Sequence, residues 1–138
     1  MSSLSGKLGL IVGVATKRSI SWGIARAAQA AGARLALTYP GERLEENVRE
    51  LAAQLQNPIL APCDVSNDEQ IDALAATIDR EFGGLDFLVH GAAFAPSDAL
   101  SRPFLETSRE SFRIALDVSA YSLVGLTRAV APLMEKRG

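Results

Sequence analysis

The chain has 138 residues, 48% of them hydrophobic, with 14 basic and 16 acidic side chains that leave a formal charge of −2. That length and apolar content suffice for one sizeable core, so a single unit over residues 1–138 is expected; the interspersed charges offer neither a basic stripe for nucleic acid nor a polybasic patch for a membrane surface. The lone cysteine, Cys63, excludes an internal disulfide and a multi-cysteine zinc site and fits a reducing, cytoplasmic setting. No uninterrupted apolar run approaches ~20 residues, and the segment from Met1 to Lys7 lacks the charged-then-apolar layout of a secretion signal.

The first apolar run, Leu8 to Val12, reads as a buried strand that ends at Gly13. The segment Gly13-Val14-Ala15-Thr16-Lys17-Arg18-Ser19-Ile20-Ser21-Trp22-Gly23 then turns the chain into a helix from about Ser19 to Ala31, closed by Gly32. A glycine at a strand end lets backbone N–H groups approach an anion, and the following helix adds free donors and the positive end of its dipole. The spacing is not G-x-G-x-x-G, because no glycine lies between Gly13 and Gly23. The Ser19 hydroxyl is placed either to hold a pyrophosphate or to cap the helix, and one atom can do both.

The second run, Arg34 to Tyr39, is followed by Pro40-Gly41, where dinucleotide sites often place an acid for the adenosine ribose; here an acid comes only at Glu42, beyond the turn. Arg43 would meet a 2′-phosphate or be a solvated surface arginine, and the balance leans to NADH over NADPH. Leu44, Val48, Leu51 and Leu55 form a helical stripe. The third run, Ile59 to Cys63, leads to Asp64-Val65, which would contact an adenine or help cap the helix that Ser66-Asn67-Asp68-Glu69 opens as a capping box. That helix carries Ile71, Leu74, Ile78 and Phe82 inward, and Gly83-Gly84 turns it into the fourth run, Leu85 to His90. Gly91-Ala92-Ala93 has almost no side chain, as befits a tight turn or a backbone against which a ribose or nicotinamide lies.

Beyond it, Ser97 to Pro103 has the character of a surface loop near the mouth of the site, and Thr107-Ser108-Arg109-Glu110 is a second capping box. A long helix to about Lys136 comes next, with Phe112, Leu116, Leu123, Leu126, Val130 and Leu133 facing the sheet or a partner subunit. Tyr121 and Arg128 have a Tyr-x6-basic spacing, yet arginine is a poor stand-in for a lysine ammonium, and Tyr121 is read as core or interface. His90, the only histidine, is read as structural and Cys63 as a small hydrophobe, with no metal site expected.

Strands and helices in strict alternation specify an α/β fold, a Rossmann-like doubly wound parallel sheet of which four βα units are present. Such sheets bind ligands at the carboxyl ends of their strands. Four segments therefore converge on one crevice: Gly13-Val14-Ala15, Thr38-Tyr39-Pro40, Cys63-Asp64-Val65 and His90-Gly91-Ala92-Ala93.

Gly13-x5-Ser19-Ile20-x2-Gly23-Ile24-Ala25, Cys63-Asp64-Val65, His90-x3-Phe94-Ala95-Pro96 and Asp117-Val118-Ser119-Ala120-Tyr121-Ser122 together resemble the bacterial NADH-dependent enoyl-acyl-carrier-protein reductases, a divergent branch of the short-chain dehydrogenase/reductases. The resemblance runs from about Leu4 to Met134. It implies that Gly13, Val14 and Ala15 line the phosphate turn, that Ser19 and Ile20 meet the pyrophosphate of NAD, that Asp64 and Val65 bind adenine, and that Gly91, Ala92 and Ala93 run beneath the ribose and nicotinamide. It also implies that Ala95 faces the substrate, an acyl thioester on acyl carrier protein, in a homotetrameric cytoplasmic enzyme of fatty acid biosynthesis. Pro40 stands where many members place a glutamine near the adenosine, and Gly91 and Ala93 replace a more usual serine and glycine. The family's active tyrosine and lysine, spaced Tyr-x6-Lys, fall downstream of the matched segment, so no catalytic residue is expected in this chain, whose later strands would also lie beyond Gly138. A nucleotide-binding half-domain without catalysis and a 3-oxoacyl-type reductase are the alternatives; Phe94-Ala95-Pro96 and the long phosphate loop favour the enoyl branch.

Overall fold

In the computed structural model, which describes residues 3–138, the four apolar runs give β1 (Leu8–Val12), β2 (Arg34–Tyr39), β3 (Ile59–Pro62) and β4 (Phe87–His90). The third ends one residue before Cys63 and the fourth starts two after Leu85, whose N–H donates to the Leu133 carbonyl. Met1 and Ser2, the start of the segment read as lacking a secretion signal, lie outside the described residues. All pairings are parallel and the order is β3-β2-β1-β4, with Leu10 set between Ala36 and Leu88. The chain thus steps outward from β1 through β2 to β3 and then crosses back to β4 on the other side of β1. This reversal opens a crevice at the carboxyl ends of β1 and β4.

Alternate residues of β1 face opposite sides of the sheet and seed two cores. Ile11 joins Leu35, Leu37, Trp22, Ala25, Val48 and Leu51 beneath α1 (Ile20–Ala30) and α2 (Glu42–Ala52). Leu10 and Val12 join Ala36 and the inward face of α3 (Asp68–Phe82), namely Ile71, Leu74 and Ile78. Each fully buried aliphatic side chain contributes about 1.5–3 kcal/mol.

Neither expected capping box forms as a reciprocal pair, and in each the N-cap is displaced by one residue. Asn67, not Ser66, caps α3 by accepting from the Gln70 N–H at 3.1 Å, while the Ser66 hydroxyl donates to Asp64 Oδ1 at 2.6 Å. Ser108, not Thr107, caps the later helix by accepting from the Ser111 N–H. Where two cap-competent residues are adjacent, other partners decide between them. The stretch Ser97 to Pro103, read as a surface loop, instead forms the short α4 (Ser97–Ser101), and a 3-10 turn, Phe104–Glu106, follows it. Asp98, in the first turn of α4, accepts from the buried Ser111 hydroxyl and ties this segment to the next helix.

The long helix is α5 (Arg109–Leu116) and α6 (Ser122–Glu135), joined by a wide π turn, Asp117–Tyr121. An i→i+5 turn inserts a residue and rotates the helix beyond it, so the single apolar stripe divides. Leu126, Val130 and Leu133 enter the core beside α3, whereas Phe112, Leu116 and Leu123 are 58%, 49% and 48% exposed. Tyr121 is also exposed rather than in the core, and its hydroxyl accepts from Arg128 at 3.5 Å. By length and composition, Arg109–Glu135 is long and apolar enough to cross a membrane, with a mean hydropathy of 1.3; here its buried residues pack on the sheet and α3.

At the amino ends of the strands, Asp86 joins three parts of the chain. Its carboxylate accepts from the Leu8 N–H at 2.8 Å, from Lys7 Nζ at 3.3 Å and from Arg137 Nε at 3.1 Å, and Arg137 also donates to the Gly6 carbonyl at 2.9 Å. Burial alone would raise the Asp86 pKa, but the Leu8 N–H, Arg137 and Lys7 together hold it below the usual carboxylate value. A lowered folded-state pKa stabilises the fold above the unfolded value and loses that contribution as pH falls through the folded one. Asp86→Asn is therefore expected to lower stability by about 2 kcal/mol at neutral pH. In thermal melts the gap from the parent should close as pH drops below about 4.

Candidate functional site

The first wall of the crevice is set by a backbone contact. Gly13 has φ +102°, and a Cβ there would overlap the Gly91 carbonyl. Only glycine combines that conformation with so close an approach. Opposite, the Gly91 N–H donates to the Val12 carbonyl at 2.9 Å, extending the β1–β4 ladder past its last strand residues.

The same carbonyl accepts from the buried Ser21 hydroxyl at 3.1 Å. A Cβ at residue 91 would collide with that Ser21 Oγ. The departure at Gly91 thus has a physical reason: the space is filled from helix α1.

Around this contact lies a cavity of about 460 Å³. Val12 to Ala15 form one wall, Thr38, Pro40 and Leu44 the far end, Cys63 to Ser66 the next, and Gly91 to Phe94 the floor, with Ile114 and Val118 closing the side. The structure therefore brings together Gly13, Val14, Ala15, Pro40, Asp64, Val65, Gly91, Ala92 and Ala93. Ser19, Ile20 and Ala95 do not line it.

Ser19 nevertheless shapes the turn. It occupies the N-cap position of α1 but caps none of its amides; its Oγ accepts from Ala15 N and Thr16 N, each at 3.0 Å. Two acceptor sites are thus used, and the proton is what the hydroxyl has left to offer, which suits an anion. In the first turn of α1 the Trp22 and Gly23 N–H groups donate to the Ser19 carbonyl, so the Ile20 and Ser21 N–H groups are the ones left to an anion or water. The Ile20 side chain is 84% exposed, so any contact it makes with a phosphate is through its backbone. Asp64 Oδ1 accepts from the Ser66 N–H at 2.9 Å and from its hydroxyl, which leaves Oδ2 without a protein partner among the described residues, and Asp64 lines the cavity. The Asp64 N–H donates to Gln70 Oε1 at 2.7 Å, fixing the loop.

Cys63 is buried, and desolvation together with the neighbouring Asp64 charge pushes its thiol up to about 11. It stays protonated and packs as a small hydrophobe, as read, while also lining the cavity. His90 Nε2 shares a 2.7 Å hydrogen bond with the Ser122 hydroxyl, the structural role expected of it. Among the described residues no group of three His, Cys, Asp or Glu side chains is placed to hold a metal ion. The lining residues not singled out in sequence, Thr38, Leu44, Ile114 and Val118, are common apolar or small side chains. Thr38 had a signal as a named strand end, Leu44 was read only as part of a helical stripe and Val118 only as part of the Asp117–Ser122 motif, and Ile114 had no signal.

A family model described as enoyl-(acyl carrier protein) reductase matches residues 13–138. The chain belongs to the enoyl-acyl-carrier-protein reductase family. The FabI enoyl-[acyl-carrier-protein] reductase [NADH] of Aquifex aeolicus is 46% identical over 99% of this chain and 51% of its own length. The crystal structure of the Bacillus cereus enoyl-acyl carrier protein reductase, determined with NADP+ and indole naphthyridinone, superposes with a TM-score of 0.93 at 46% identity over 99% of this chain and 54% of that one. The Anaplasma phagocytophilum reductase in complex with NAD gives a TM-score of 0.89 at 39% identity, covering 95% and 50%. The chain spans about half the length of the curated relatives it matches, and its four parallel strands are the corresponding part of their sheet.

Gly91→Ser is expected to destabilise the protein by about 1–3 kcal/mol through overpacking against Ser21. Combining it with Ser21→Ala should recover part of that loss, the remainder coming from the Val12 carbonyl oxygen 2.9 Å from the Cβ position, and urea denaturation of both single variants and the double variant will measure the coupling energy. Cys63 is expected to resist a thiol-specific reagent near neutral pH in the folded protein and to react once unfolded. Its raised pKa makes stability fall as pH climbs from the ordinary thiol range toward about 11, and Cys63→Ala should flatten that part of the profile.

Proposed function

We propose that this chain is the cofactor-binding part of an NADH-dependent enoyl-acyl-carrier-protein reductase of fatty acid biosynthesis. The observation that carries the reading is the glycine contact at the head of the cavity. A Cβ at Gly13 would overlap the Gly91 backbone and one at Gly91 would overlap Ser21 Oγ, so the two strand ends approach closely only as glycines, and the lining beside them is small or apolar. An extended dinucleotide fits such a cleft, with the Gly13–Ala15 turn, the Ser19 proton and the Ile20 N–H at its pyrophosphate, Pro40 near the adenosine ribose, Asp64 Oδ2 and the Val65 backbone at the adenine, and Gly91 to Ala93 under the nicotinamide half. Reduced nicotinamide supplies a hydride for the trans-2 double bond of an enoyl thioester. Ala95, beyond the floor, would face the acyl chain.

NADH is preferred over NADPH in this reading, since the Pro40–Gly41 turn carries no cationic side chain into the cavity. One relative was solved with NADP+ and another with NAD. The acyl thioester would arrive on acyl carrier protein, in the cytoplasm. The exposed apolar residues Leu100, Phe104, Leu105, Phe112 and Leu116 favour a homo-oligomer, a tetramer by family resemblance. Residues 1–138 would act as one unit, the two cores sharing the single sheet.

No lysine or tyrosine lines the described cavity. The side chains present can bind and orient, but none is placed to stabilise an enolate oxygen by donating a proton or an ammonium charge. The 138-residue chain is therefore expected to bind NADH without turning over. In a fluorescence titration NADH should give saturable binding, and absorbance of the reduced cofactor should stay flat when a short trans-2-enoyl thioester is added. Protein-dependent oxidation would overturn the assignment of catalysis to residues outside this chain, and an absence of binding would overturn the cofactor reading.

A further inference from the structure

The floor of the cleft, residues 91–94, runs on from His90 at the end of β4 and is held at both ends by hydroxyls from the π turn and the start of α6. At the near end, Ser122 Oγ pairs with His90 Nε2 at 2.7 Å while donating to the Val118 carbonyl at 2.6 Å. At the far end, one hydroxyl serves both backbone groups of Phe94: Ser119 Oγ accepts from the Phe94 N–H at 3.0 Å and donates to the Phe94 carbonyl at 3.0 Å. Between these clamps the Gly91 N–H is held by Val12, and Ala92 and Ala93 have no side chain able to fix their own peptides.

We propose that Ser119 is a positioning residue of the cofactor cleft, whose hydroxyl fixes the Phe94 peptide and so sets the floor against which the nicotinamide half of the dinucleotide lies. The proposal rests on the cofactor reading above. Val118, the residue before it, lines the cavity directly, so the turn supplies both part of the side wall and the clamp on the floor. A wide turn in a long helix has fewer well-formed backbone hydrogen bonds than a regular one, and such turns recur beside functional sites. Here it also divides the helix into α5, linked through Ser111 to Asp98 of α4, and α6, anchored in the core by Leu126 and Val130. The far end of the floor is thereby tied to the rigid layer of the fold.

Because Phe94 is exposed, loss of the clamp lets water take both backbone groups and should change global stability little. The effect is on the placement of the floor. Ser119→Ala is expected to weaken NADH binding by about five- to tenfold, to leave the affinity for ADP-ribose, which lacks the nicotinamide, within about twofold, and to speed amide hydrogen exchange at Phe94 by about tenfold. Ser119→Thr, which keeps the hydroxyl, should restore all three values. Equal loss of both ligands would show a general structural effect, and unchanged NADH affinity or unchanged Phe94 exchange would show that the clamp does not position the floor; each overturns the proposal while leaving the cofactor reading intact. A parent protein that binds neither NADH nor ADP-ribose overturns the cofactor reading itself, and this proposal with it.

Discussion

The close approach of the chain at the carboxyl ends of β1 and β4 is the constraint on which the rest of the molecule depends. Val12 offers a carbonyl that receives both Gly91 and Ser21, and Gly13 lies against the Gly91 backbone with no room for a side chain. This contact joins the strand that begins the sheet to the strand that returns across it. It also decides what the cleft presents. Were side chains to occupy this point, the strand ends would be forced apart.

The opposite end of the same two strands has its own constraint of a different kind. There Asp86 draws the Leu8 N–H, Lys7 and Arg137 to one carboxylate, linking the start of β1, the approach to β4 and the chain just after α6. One end of the strand pair is thus closed by charge-assisted hydrogen bonds, and the other is defined by the absence of side chains. Between them Leu10 and Val12 on one face and Ile11 on the other fill the two cores. The division of labour comes from the sheet: binding belongs to the carboxyl ends, so the amino ends are free to be locked.

The strands were legible because a parallel sheet covered on both faces demands near-continuous apolar runs, and Leu8–Val12 and Arg34–Tyr39 satisfy that demand with few alternatives. The N-caps of α1, α3 and α5 were legible to within one residue, whereas α4 was read as a loop. Asn67 displaced Ser66 because Asp64 engages the Ser66 hydroxyl, a competition invisible to a local pattern. The division of the long helix was not legible, since no glycine or proline marks Asp117–Tyr121 and its apolar residues keep plausible spacing across it. Strand-end positions of the cleft could be named because topology dictates them. Val118 and Ser119 were visible only as part of a motif, and their place at the cleft, like that of Ile114, was not legible because it depends on how α5, the π turn and α6 dock, set by contacts tens of residues away.

Gly91 shows why a site read position by position understates what the sequence contains. Set against the family pattern, the residue is a missing serine. In the fold its Cβ position borders the hydroxyl of Ser21, which comes from a segment 70 residues earlier and donates to the Val12 carbonyl beside the loop. Polar contact at the junction is kept while its source is the first helix. What the strand ends require is therefore a filled volume and a satisfied carbonyl, and a sequence can meet that requirement from either side of the contact. The pair Ser21 and Gly91, rather than either residue alone, is the unit that the packing recognises.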